Sequence, residues 1–192
     1  VEIVRWAKSR GIHVTADVTP HHMVLTDDLA ETYDPVYKVN PPLRTAADVD
    51  AVRAGLEDGT IDIVATDHAP HPHEDKDCEW AAAAMGMLGL ETALSVVIET
   101  MVDTNRLTWR QVADRMSVNP ARIGRVADHG QAIAVGAPAN LTIVDANARW
   151  IVDPMQLASK SRNTPYAARA MRGKVVATFL RGRATVLEGK LV

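Results

Sequence analysis

The stretch Ile61-Asp-Ile-Val-Ala-Thr-Asp67-His-Ala-Pro-His71 decides the fold. Its first six residues are apolar and β-branched enough to predict a strand, and the run breaks at once into a polar loop with proline and histidine. Side chains alternate across a strand, so Ile61, Ile63, Ala65 and Asp67 share one face. The carboxylate of Asp67 therefore takes the next inward position, where an apolar strand opens to solvent. Immediately upstream, Thr45 to Asp58 carries Ala47, Val49, Val52 and Leu56 at helical spacing and ends at Gly59. Further upstream, Ile12-His-Val-Thr-Ala-Asp-Val18 alternates strictly and predicts another strand, preceded by a helical stripe from Val1 that Gly11 ends in a left-handed conformation. Helix, strand, helix, strand is the order of a parallel α/β sheet.

The first helix starts at Val1 without an N-cap, which predicts a C-terminal piece whose preceding strand and loop lie upstream. Downstream, Met87, Leu90, Leu94, Val97, Ile98 and Met101 predict a helix over 86–102. Thr108-Trp-Arg-Gln111 has the form of a capping box, and Asn119-Pro120 that of an N-cap followed by proline at the first helical position. Beyond about Asp128 the character changes. Leu141–Val144, Val175–Leu180 and Ala184–Leu187 are short β-branched runs separated by Arg181-Gly-Arg183 and Glu188-Gly-Lys190 turns. The expected division is residues 1–128 in an α/β unit and 129–192 in a small β-unit.

Composition narrows the function. A formal net charge of −3 leaves no basic excess for nucleic acid. No apolar run approaches a membrane span and no leader precedes the first helix, which predicts a cytoplasmic protein. Cys78 is the only cysteine, so neither a disulfide within the chain nor a thiolate zinc site is possible. Any metal must be held by His, Asp or Glu.

Five of the seven histidines fall in Pro20-His-His22 and in Thr66–His73, each cluster directly after a predicted strand. Loops at the C-terminal ends of parallel strands are where ligands bind and catalytic groups gather. Polar loops also carry histidines with no such role. A buried carboxylate at Asp67 needs a metal, a cation or a proton to offset its desolvation; alternatively the side chain caps the turn that follows. Spacing alone suggests a metal-assisted hydrolase with Asp67 as ligand or general base, and nominates His21, His22, His71 and His73 as further ligands.

Three runs in this order, Val18-Thr-Pro-His-His22, Val39-Asn-Pro-Pro-Leu-Arg44 and Ala65-Thr-Asp-His-Ala-Pro-His71, resemble the long-chain bacterial dihydroorotases of the amidohydrolase superfamily. Val135-Gly-Ala-Pro-Ala-Asn-Leu-Thr-Ile-Val-Asp145 is similar to the strand that enters their small β-sandwich. The resemblance implies the C-terminal part of a (β/α)8 TIM barrel plus a small β-sandwich domain. It also implies a zinc centre, mononuclear or binuclear, and the reversible hydrolysis of dihydroorotate to N-carbamoyl-aspartate in pyrimidine synthesis. It reassigns the histidines. The other metal ligands of the family map upstream of Val1, and only the strand-eight aspartate, metal ligand and catalytic acid–base, maps onto this chain, at Asp67. His21 and His22 become structural loop residues. Asn40 and His71 map to substrate contacts, and Met85-Gly86 to a backbone contact, although relatives usually carry Pro-Phe-Gly where this chain has Ala84-Met85-Gly86. Implied partners are a small-molecule substrate, a second copy in a homodimer, and aspartate transcarbamoylase. With most ligands upstream, residues 1–192 alone are expected to be inactive. The alternatives are a non-catalytic dihydroorotase-like scaffold and a cyclic amidohydrolase of hydantoinase or allantoinase type.

Overall fold

A computed structural model describes all 192 residues. The chain opens with α1 (Glu2–Ser9), and its end shows how closely local sequence governs shape here. Gly11, at φ 72°, sends its N–H to the Lys8 carbonyl at 3.0 Å while Ile12 N–H reaches Ala7 at 3.1 Å, the paired bonds of a left-handed C-terminal cap. β1 (Asp17–Val18) lies parallel to β2 (Ile63–Val64), with Asp17 opposite Ile63 and Val18 opposite Val64. Both strands are shorter than their alternation predicts. Hydrogen bonds from Asp62 N–H to Ala16 and from Ala65 N–H to Val18 extend the pairing slightly, but residues 12–15 have no strand beside them. Alternation specifies an extended chain; a ladder also needs a neighbour.

Between the strands, α2 (Ala46–Asp58) begins with a complete capping box between Thr45 and Asp48 and ends at Gly59, φ 84°. α1 is held to β2 by an ion pair of Lys8 Nζ with Asp62 at 2.7 Å, and Asp62 also accepts the Ala16 N–H at 2.9 Å. A short α3 (His73–Lys76) follows β2. The helix expected over 86–102 starts late, as α4 (Ala93–Val97), and continues through a wider turn to Val102. Residues 86–89 instead give their backbone groups to other loops: Gly86 N–H to Lys38, Leu88 N–H to Asn163, and Met87 carbonyl to Ala69 N–H. α5 (Trp109–Ala113) opens with the Thr108–Gln111 capping box and runs on through a wide turn into α6 (Asn119–Ile123). Asn119 therefore caps no new helix; its amide donates to the Asp62 carbonyl at 3.0 Å, tying α6 to β2.

The tail forms a four-stranded antiparallel sheet in the order β3 (Leu141–Ile151), β4 (Ala170–Leu180), β5 (Arg183–Leu187), β6 (Lys190–Leu191). Its two hairpins turn at Arg181-Gly182 (φ 50° and 78°) and Glu188-Gly189 (φ 50° and 73°), the positive-φ pairs that match strand twist. One apolar cluster joins both halves of the chain: Val18, Leu56, Val64, Met87, Val97 and Met101 pack with Val152, Tyr166 and Met171. The sheet is docked on α4 at Gly173, whose carbonyl accepts from Ser95 Oγ at 2.9 Å and Trp150 Nε1 at 3.0 Å. At φ 84° Gly173 holds a left-handed conformation that suits glycine, and a Cβ there would displace the tip of the Ile98 side chain, 2.1 Å away. No helix is long and apolar enough to cross a membrane.

Candidate active site at the strand ends

β1 and β2 run the same way, so the loops after Val18 and Val64 emerge at one end of the pair. Asp67 lies three residues past β2 in left-handed backbone, φ 47°. Val64 is buried against the core, whereas Ile63 and Ala65 are half-buried and Asp67 is exposed. The expected face is thus present but open: within this chain the carboxylate keeps its water, and the desolvation argument for its partner does not apply. It also caps nothing. No hydrogen bond or ion pair of the protein reaches its oxygens, which leaves both free to act on a ligand.

The histidines have other work. His21 is 1% exposed, its Nε2 meets no polar partner, and burial, helped by the nearby His22, pushes its pKa down to about 3. His22 bridges Thr19 Oγ1, 2.6 Å from Nδ1, and the Pro41 carbonyl, 3.0 Å from Nε2. A carbonyl only accepts, so Nε2 donates to Pro41, and the ring clamps the β1 loop to the Asn40 loop. His68 Nδ1 accepts the amides of Gly89 and Leu90 at 3.1 and 3.3 Å. His71 Nε2 lies 3.0 Å from the Met85 carbonyl, to which it donates, and His73 sits on the surface 3.1 Å from Asp77. Of the four ligands that spacing nominates, none gathers around Asp67. Nowhere do three His, Cys, Asp or Glu side chains converge as a metal site requires.

His71, Met85 and Gly86 do come together. Gly86, at φ 129°, passes so close that a Cβ would lie 2.5 Å from Ala69 Cβ and 3.1 Å from His71 Nε2. Its N–H donates to Lys38 O at 2.9 Å, and its carbonyl accepts from Lys76 Nζ at 2.9 Å and Asn163 Nδ2 at 3.3 Å. Both polar groups of Gly86 are therefore used inside the protein, and at this turn the Met85 N–H is the backbone donor left for a ligand. The turn is stapled by two ammonium groups. Lys38 Nζ binds the carbonyls of Trp80, Ala81 and Ala83, and Lys76 Nζ those of Ala84 and Gly86. Burial, with the charge of Lys38 beside it, lowers the Lys76 pKa. Asn40, two residues beyond Lys38, is exposed with its amide unengaged. A cavity of about 740 Å³ lies on the other side of His71, between Lys76, Asp77, Arg162 and Asn163; Asp67 and Asn40 do not line it.

A model of the amidohydrolase family matches residues 1–185. This chain belongs to the amidohydrolase family. It is 70% identical over 191 residues to a dihydroorotase of Streptomyces coelicolor, covering 100% of this chain and 45% of that protein. It is 54% identical to a dihydroorotase of Mycobacterium tuberculosis, covering 100% of this chain and 44% of that protein. Among solved structures, an L-hydantoinase (dihydropyrimidinase) from Arthrobacter aurescens superposes with a TM-score of 0.91 at 32% identity, over 100% of this chain and 43% of that one. The chain spans less than half the length of the curated relatives it matches. Together with the parallel β1–β2 pair, the likeness describes a partial α/β fragment of the TIM-barrel type.

In this amidohydrolase chain the residues present do not by themselves fit a zinc centre. Zinc sites use three or four protein ligands, and Asp67 offers one. Lys38, Lys76, His68 and Asn163 are the structural members of the site that sequence reasoning missed. Their partners are backbone carbonyls and amides, which carry no side-chain signature in the sequence.

Proposed function

We propose that this chain forms part of a dihydroorotase, which hydrolyses dihydroorotate to N-carbamoyl-aspartate and runs the reverse cyclisation. The carrying observation is Asp67: a carboxylate at the end of a parallel strand, free of protein partners, beside loops braced by His22, His71, Lys38 and Lys76. The identity to named dihydroorotases over the whole chain supports the same reading. In the proposed reaction Asp67 takes a proton from the attacking water as its oxygen bonds to the ring carbonyl carbon. It then delivers that proton to the ring nitrogen as the C–N bond breaks. Asn40 offers an amide N–H to a substrate carboxylate, and Met85 N–H a second donor. His71 joins as a substrate contact only when its Nε2–H leaves the Met85 carbonyl. Asp67 would also give one ligand to zinc, the others coming from outside residues 1–192.

We propose further that residues 1–128 are the last strands and helices of the (β/α)8 barrel and residues 129–192 part of the small β-sandwich. The homodimer and the aspartate transcarbamoylase partner belong to the same proposal. A second reading, a cyclic-amide hydrolase of hydantoinase type, draws on the 32% identity to an L-hydantoinase. Turnover of dihydroorotate, hydantoin and allantoin by the complete polypeptide separates the two. Preference for dihydroorotate is expected, and preference for hydantoin overturns the first reading.

A further inference from the structure

We propose that Asn163 is the positioning residue that sets His71 and the Met85–Gly86 turn in register with each other, an inference that rests on the site reading above. Asn163 is 7% exposed and lies in the loop between β3 and β4, far along the chain from the strand ends. Its side chain nevertheless meets three backbone groups of the site. Nδ2 donates to Ala69 O at 2.9 Å and Gly86 O at 3.3 Å, while Oδ1 accepts the His71 N–H at 3.3 Å. Its own carbonyl accepts Leu88 N–H at 3.1 Å.

The geometry of these bonds matters more than their number. Ala69 and His71 lie on one wall of the turn and Gly86 and Leu88 on the other, and a Cβ at Gly86 would clash with Ala69 and press on the His71 ring. Two walls that close need a spacer that bonds to both, and a planar amide with donors on one side and an acceptor on the other does this in a single side chain. Lys76 meets Gly86 O from the other direction, at 2.9 Å, so that carbonyl is fully satisfied only when Asn163 is in place. Loss of the amide frees the Ala69 carbonyl and the His71 N–H together, and the positions from which the His71 ring and the Met85 N–H reach a substrate are then no longer fixed.

The test uses the complete polypeptide with Asn163→Asp, which keeps the shape and the acceptor but loses both donors, and Asn163→Ala, which loses all three bonds. Two readouts are taken: hydrogen exchange of residues 69–89, and steady-state kinetics on dihydroorotate. Expected are faster exchange confined to 69–89 and a KM raised tenfold or more with kcat within about threefold, in both variants. Unchanged exchange and KM in Asn163→Asp overturns the proposal. So does loss of folding in both variants, which would make Asn163 a general stability residue. If the unsubstituted polypeptide does not turn over dihydroorotate, the functional reading fails, and exchange over 69–89 still decides the role of Asn163.

Discussion

The β4–β5–β6 sheet and the strand-end site are both made of extended chain and turns, yet they are held by opposite means. In the sheet, each hairpin closes on residues a few positions away, and Gly182 and Gly189 supply the conformations that the turns need. At the site, Lys38 reaches carbonyls up to 45 residues away and Asn163 up to 94, and these long ties land on backbone. A hairpin tolerates change in its neighbours because its order is local. The strand-end site has no local order of its own, so its shape is a property of the whole chain.

The sharpest way to test that difference is to strike the site carboxylate, which is tied to nothing in the protein. Asp67→Asn in the complete polypeptide should lower kcat by at least about 10² to 10⁴-fold, the range of proton-transfer catalysis, while the melting temperature holds. Near-normal turnover would remove Asp67 from the chemistry.

Next in size is the buried His21 of the β1 loop. Its folded pKa, about 3, lies below the ordinary 6.5, so the folded state refuses a proton that the unfolded state accepts. Its stabilising effect is complete above about pH 6.5 and is lost as pH falls toward 3, by at most about 4 to 5 kcal/mol at about 1.4 per pH unit. Denaturant unfolding of the protein and of His21→Leu between pH 7 and 4 measures this. The variant should show a flatter profile, and parallel profiles would refute the assignment.

Smaller losses are expected for the ligand donors. Asn40→Ala and His71→Ala should each weaken substrate binding by about 1.5 to 3 kcal/mol, the range for hydrogen bonds to charged groups, with metal content intact. Loss of bound metal in either variant would return that residue to the metal centre. The smallest change is expected in the sheet. A Cβ at Gly182 meets nothing within 4 Å, so Gly182→Ala should cost only the left-handed strain, about 1 to 2 kcal/mol, and leave KM alone. A raised KM there would show that sheet and site are not independent.

The same division explains what could be read from the chain before its structure. The Thr108–Gln111 cap, the Gly11 and Gly59 helix ends and both hairpin turns are decided within four residues, and each forms where spacing places it. The late start of α4 and the continuous α5–α6 run were hidden because loop partners and Asp62, distant in sequence, decide them. At the site, the residue types were visible but their employment was not. His68 and His71 have the chemistry of ligands and spend it on Gly89, Leu90 and Met85. Nothing in the sequence around Asn163 points to Ala69.

The reach of Asn163 also sets an order of events during synthesis. Ala69 leaves the ribosome 94 residues before the amide that will bind it, roughly 5 to 20 s earlier at elongation rates of about 5 to 20 residues per second. Through that interval α1, α2 and the first turns can form, while the carbonyls of Ala69 and Gly86 keep water as their partner. The latch is thus closed by a segment made well after the two loops it joins. A nascent chain that stalls before residue 163 keeps its strand-end loop unlatched and still lacks Tyr166 and Met171 of the shared core.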